Sequence, residues 1–102
     1  MKEYDIFVPL RYNDGTVIAV DKFQQLQSAL LGQFGGLTYF PQANQGFWRL
    51  GDLTYRDEIV IYRVISSDPR KAKPFLRALK EQLKVELNQE EILIVERDVN
   101  TL

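Results

Sequence analysis

The stretch NQGFWRLGDLTYRDE, from Asn44 to Glu58, holds the chain's one tryptophan, two arginines, a tyrosine and the adjacent acids Asp57 and Glu58 around Gly51-Asp52. Residues of these types could line a ligand pocket. Trp48 and Tyr55 would form an aromatic wall, and Arg49, Arg56, Asp57 and Glu58 would supply charge. The same residues also suit a hairpin, because Gly-Asp between extended segments is a two-residue turn signal. Such a turn sets Leu50 against Leu53, Arg49 against Thr54, Trp48 against Tyr55 and Phe47 against Arg56. Trp48 and Tyr55 then form a cross-strand pair, a common device for fixing a sheet. Tryptophan and tyrosine are also enriched where proteins meet. The packing reading therefore takes precedence over the ligand reading.

Arg63 is the odd residue in the apolar set Ile59, Ile61 and Ile65. A charge there needs a partner, because burying it alone is expensive. Asp5 and Asp57 both have the right face parity. An anion-binding arginine in a cavity, with Tyr39 adding to the wall, is the functional alternative. Further along, Arg70, Lys73, Arg77, Lys80 and Lys84 fall on one stripe at 100° per residue. The stripe could meet nucleic acid or an acidic partner. The net charge of −1 disfavours nucleic acid and favours a solvated helix face.

The chain lacks both cysteine and histidine. Disulfides, thiolate nucleophiles, the usual zinc sites and imidazole catalysis are excluded. Acid–base work would fall to Asp57, Glu58 or a tyrosine. There is no Gly-rich phosphate loop, paired-carboxylate spacing or nucleophile motif, and no cofactor or metal is indicated. The expectation of an enzyme is lowered but not removed.

These side chains need a scaffold, and 102 residues supply one domain, residues 1–102. Apolar content of 45% with 26% charged residues is ordinary for a soluble globular protein. MKEYDIFVPL has no apolar h-region, and no run approaches a membrane span, so a cytoplasmic location is the default expectation. Tyr4–Leu10 alternates as a strand. Asp21 with Gln24 predicts a capping box opening a helix along Phe23, Leu26, Leu30 and Phe34, which Gly35-Gly36 ends. Leu37–Phe40 and Phe47–Leu50 read as extended pieces separated by a loop at residues 41–46. Leu53–Ser66 reads as a long strand. Asp68-Pro69 opens a second helix with the stripe Ala72, Leu76, Leu79, Leu83 and Leu87, which Pro74 either starts or kinks. Asn88 stops it, and Ile92–Val99 is the last strand.

The order β-α-β-β-α-β predicts an α+β fold of the ferredoxin-like kind: a four-stranded antiparallel sheet with both helices on one face. The uncovered face should be polar in a monomer. Here Ile59, Ile61 and Ile65 oppose Val60, Tyr62 and Val64, and Phe7 opposes Tyr4, Ile6 and Val8, so both faces are apolar. A patch of that kind usually marks an interface. A homodimer with its sheets stacked face to face is the preferred reading, and a loop folded over the face is the alternative.

At GGLTYFPQANQGFWR and the following YRDEIVIYRVI, roughly residues 23–65, the chain resembles small bacterial ferredoxin-like proteins of unknown function. They share a helix, a Gly-Leu-Thr strand, a Gly-x-Trp element and an acid-bearing β-branched strand. The resemblance implies the fold and carries no activity. The expected function is a structural, regulatory or interaction module that dimerises through its open sheet face. A small-molecule binder or cofactor-independent enzyme near Trp48, Tyr55 and Arg63 comes next, and a nucleic-acid-associated protein using the basic helix comes third.

Overall fold

A computed structural model describes all residues from Met1 to Leu102. The elements run β1 (Lys2–Pro9), α1 (Val20–Phe34), β2 (Thr38–Leu50), β3 (Leu53–Ser66), α2 (Pro69–Glu86) and β4 (Ile94–Asp98). The strands form one open antiparallel sheet in the order β2-β3-β1-β4. The architecture is α+β.

Period-two alternation in β1 and β3 sends Tyr4, Ile6, Val8, Val60, Tyr62 and Val64 to one face. There they join Leu26 and Leu30 of α1 and Ala72, Leu76, Leu79 and Leu83 of α2 in a single buried core. The leucine stripe of α2 is the one its spacing predicts. Gly35 takes a left-handed φ of 76° as the C-cap of α1, and Asn88 ends the second helical run at φ 50°.

Four local expectations are corrected. The first helix begins at Val20 after an extended Ala19 with no side-chain cap, so the Asp21–Gln24 capping box is not formed. The second helix runs from Pro69 to Glu86 through the exposed Pro74, so Pro74 does not start it; the proline costs it one backbone hydrogen bond near its start. The residues at 41–46 are not a loop. They belong to a continuous β2 with an irregularity, in which Phe40 pairs with Ile61 and Asn44 with Ile59, four steps on β2 against two on β3. Backbone pairing to a long β3 keeps this polar stretch extended despite its loop-like composition. The last strand is shorter than Ile92–Val99, starting at Ile94.

β1 pairs with β3 only from Ser66 back to Ile59. From residue 57 to the turn, β3 has no neighbour except β2. The hairpin therefore projects as a two-stranded arm, Gly46–Asp57. Gly51 alone is positive in φ at the turn, at 62°, as a II′ turn requires of its first central residue. The arm stretches the molecule to 42 × 29 × 24 Å, with a radius of gyration of 14.0 Å against about 13 Å for a compact chain of this length. No helix is long and apolar enough to cross a membrane.

Candidate functional site

The arm places Trp48 opposite Tyr55, as the turn predicts. Their rings stack with centroids 4.5 Å apart at 18°. Trp48 Nε1 donates to Asp57 Oδ2 at 2.8 Å, so the indole is held on both its face and its edge. Asp57 is thereby occupied within the arm and is not the partner of Arg63.

Parity divides the remaining candidates. Trp48, Tyr55, Asp57 and Arg63 share the open face. Arg49, Arg56 and Glu58 alternate with them and point to the other side, where Glu58 lies 3.9 Å from Arg11. Tyr39 pairs with Tyr62 and stacks on it at 4.6 Å and 13°, also on the helix side. The expected grouping of Tyr39 with Trp48 is therefore corrected: the two lie on opposite faces of the hairpin. Arg63 does share a face with Tyr55, but eight residues along a strand span roughly 27 Å. One copy of the chain does not close Trp48, Tyr55 and Arg63 into a single pocket.

At the centre of the open face lies an ion cluster. Arg63 grips Asp5 with two hydrogen bonds, Nε to Oδ1 at 2.8 Å and Nη2 to Oδ2 at 3.1 Å. Its Nε also lies 3.1 Å from Glu3. Arg97 Nη1 donates to both Glu3 Oε2 and Asp5 Oδ2 at 2.8 Å. The Arg63 guanidinium lies over the Phe40 ring, 5.0 Å from its centroid. The cluster is two acids and two arginines, hence neutral. Its acids are buried even though the face carries no helix, because the arginines lie over them. The Arg63 hydrogen bonds, followed by those of Arg97, hold the Asp5 carboxyl below its usual value against the opposing effect of burial. Asp5 raises Arg63 in turn. The face is therefore not uniformly apolar: Glu3 and Asp5 occupy the β1 positions beside Phe7. Asp5 could be found from its parity with Arg63, but Glu3 and Arg97 required the β1–β4 register.

Around the cluster the face is apolar. Phe40, Ile65 and Leu93 are exposed, and Phe7, Ile59, Ile61 and Val95 are half-buried.

Three of the five residues in the basic stripe are tied to acids. Lys73 lies 3.4 Å from Glu96, Lys80 2.9 Å from Glu91 and Lys84 3.6 Å from Glu81. Arg70 and Arg77 make no ion pair. Near Lys73, the Tyr4 hydroxyl is buried with no hydrogen-bond partner at bonding geometry. Burial pushes its pKa up to about 12, and the nearby Glu96 carboxylate adds to the shift. Tyr62 is also pushed up to about 12, mainly by burial, while a hydrogen bond from Gln27 works against the shift. Neither phenol is suited to proton transfer near neutral pH.

A cleft of about 220 Å³, missed in the sequence, opens where the end of α1 meets the start of α2, lined by Gln33, Phe34, Ser66, Ser67, Asp68 and Lys71. No three acids in the structure converge as a metal site.

No family model matches the chain, and no curated protein matches it in sequence. Among solved structures it is similar to a phage SAM lyase in complex with S-methyl-5′-thioadenosine, with a TM-score of 0.71 and 15% identity over 95% of this chain and 80% of that one. It is similar also to a phage SAM lyase in its apo state, with a TM-score of 0.69 and 17% identity over 94% of this chain and 78% of that one. At these identities the likeness is one of fold.

Proposed function

We propose that the chain is a ferredoxin-like module that self-associates through its open sheet face, a homodimer with a structural or regulatory role in the cytoplasm of a bacterial cell. The observation that carries this reading is the open face itself: apolar side chains ring a charge cluster already neutralised from within. A second apolar face can cover such a centre without stranding a charge, which is the condition under which burying ions is tolerable. Size-exclusion chromatography with light scattering should give at least twice the chain mass at micromolar concentration. Ile61→Glu should halve that mass, and a monomeric wild type would overturn the reading.

A second reading is favoured by one constellation. Trp48 stacked on Tyr55, with Asp57 at its edge, offers an aromatic surface and a carboxylate. Bases stack on such rings, a cation such as a sulfonium is drawn to their faces, and acids bond ribose hydroxyls. The fold likeness to a phage SAM lyase makes adenosyl sulfonium and thioether compounds the first class to try. Titration calorimetry with S-adenosylmethionine and S-methyl-5′-thioadenosine should show saturable heat that Trp48→Ala abolishes. Flat isotherms for both compounds would remove this reading and leave the first standing. The basic stripe is read as a solvated face, since its lysines already have acidic partners.

A further inference from the structure

We infer that the outer half of β2, Asn44–Leu50, is a seam at which two copies of the chain pair edge to edge and make their sheets continuous. β2 is an edge strand, and unpaired edges are templates for another strand unless they are blunted. The opposite edge, β4, is blunted: it is five residues long and ends in Glu96-Arg97-Asp98. The inner half of β2 is blunted as well, by Pro41 and by the irregularity between Phe40 and Asn44. The outer half has no proline, no irregularity and one charge, Arg49. It keeps regular register with β3 from Asn44↔Ile59 to Leu50↔Leu53.

The direction of its free backbone follows from one hydrogen bond. Leu10 N–H donates to the Glu58 carbonyl at 2.9 Å, so the Glu58 backbone faces away from β2. In an antiparallel pair the bonded and non-bonded positions alternate. Gln45, the partner of Glu58, therefore turns its backbone outward, as do Phe47 and Arg49. No side chain of the chain reaches these three groups; Asn44 Nδ2 goes to Gln42 and Trp48 Nε1 to Asp57.

The occupant is a second copy of the same segment. About a two-fold axis at Phe47, Phe47 meets Phe47 and Gln45 meets Arg49, all by their outward backbone groups. On the other face Trp48 falls across from Gly46 and Asn44 from Leu50. No like charges oppose, and the indole covers the position without a side chain, an arrangement known to rescue glycine in strands. A two-stranded arm alone is marginal in water, whereas four strands are not. The seam leaves the two open faces side by side, so it is distinct from the face-to-face contact proposed above.

Amide hydrogen exchange by NMR on the wild-type protein tests it. The amides of Gln45, Phe47 and Arg49 should exchange about 100-fold or more slower than in an unstructured peptide, since only a partner strand protects them. Exchange at peptide rates would overturn the seam. Phe47→Pro removes one outward N–H and leaves the bonds to β3 in place, so it should halve the mass seen by light scattering with the circular dichroism unchanged. An unchanged mass in that variant would also overturn the seam, while leaving the open-face contact untouched. Ile61→Glu should leave the Phe47 amide protected; protection lost in that variant would mean that the face, not the edge, orders the arm.

Discussion

Tyr62 and Tyr55 lie seven residues apart in β3, and each stacks on an aromatic residue of β2. The geometries are nearly the same: 4.6 Å and 13° with Tyr39, 4.5 Å and 18° with Trp48. Their surroundings are not. Tyr62 is fully buried beneath the helices, while Tyr55 keeps 38% of its surface in solvent on the arm. Cross-strand stacking is thus set locally, by strand register and ring shape. Burial is set by what lies over the strand, and over the arm this chain lays nothing.

The contrast can be broken most forcefully at its buried end. Tyr62→Ala opens a cavity under both helices and removes the acceptor for Gln27, and should cost about 3–5 kcal/mol in urea denaturation. A loss below about 1 kcal/mol would mean that the helices collapse into the gap and that the core is not packed around this ring.

Next in size is the one place where the open face behaves like an interior. Asp5→Asn keeps the shape but removes the charge that both arginines share, and should cost about 1–3 kcal/mol. The value sits below that of a fully buried pair because Arg63 is partly in solvent. The sign with pH follows from the lowered Asp5 carboxyl. Its contribution is fully present above the unfolded value of about 3.9 and is lost as the pH falls through the lower folded value. Wild-type stability measured below about pH 4 should therefore fall more steeply than that of Asp5→Asn. Parallel curves would show that the cluster does not hold the face together.

What was legible beforehand follows the same division. The β3 alternation, the leucine stripe of α2, the Gly51-Asp52 turn and the Trp48–Tyr55 pairing are short-range patterns, and each could be read from spacing. Asp5 as partner of Arg63 was legible through parity alone. Tyr39 was misgrouped because its face depends on the β2–β3 register across an irregularity that composition disguised as a loop. Glu3 and Arg97 were invisible because they meet only through pairing of the two ends of the chain, Lys2–Ile6 with Ile94–Asp98. The cleft beside Lys71 needs two helix ends brought together, which no local pattern announces.

At the exposed end, Tyr55→Ala should cost a single dilute chain roughly 0.5–1 kcal/mol, the worth of a cross-strand pair. If the arm or the open face is covered by a second copy, the cost should grow with protein concentration, because the ring is then lost from an interface as well. Denaturation midpoints at two concentrations a hundredfold apart distinguish the cases. A concentration-independent cost of the Tyr62 size would mean that the arm belongs to the core after all.

The smallest effect separates the two interactions that hold the indole. Trp48→Phe keeps an aromatic ring over Tyr55 and removes the 2.8 Å hydrogen bond to Asp57. That bond is in solvent contact, so its net worth should be about 0.5 kcal/mol, below that of deleting the stack. If stacking holds the arm, Trp48→Phe is nearly silent and Tyr55→Ala is not. If the order is reversed, Asp57 is the anchor: the indole edge is then fixed by the acid, and the Tyr55 ring only rests against it. Asp57 would then be committed to the fold and unavailable to a ribose hydroxyl, so the same pair of melts also bears on whether the arm can take an adenosyl ligand.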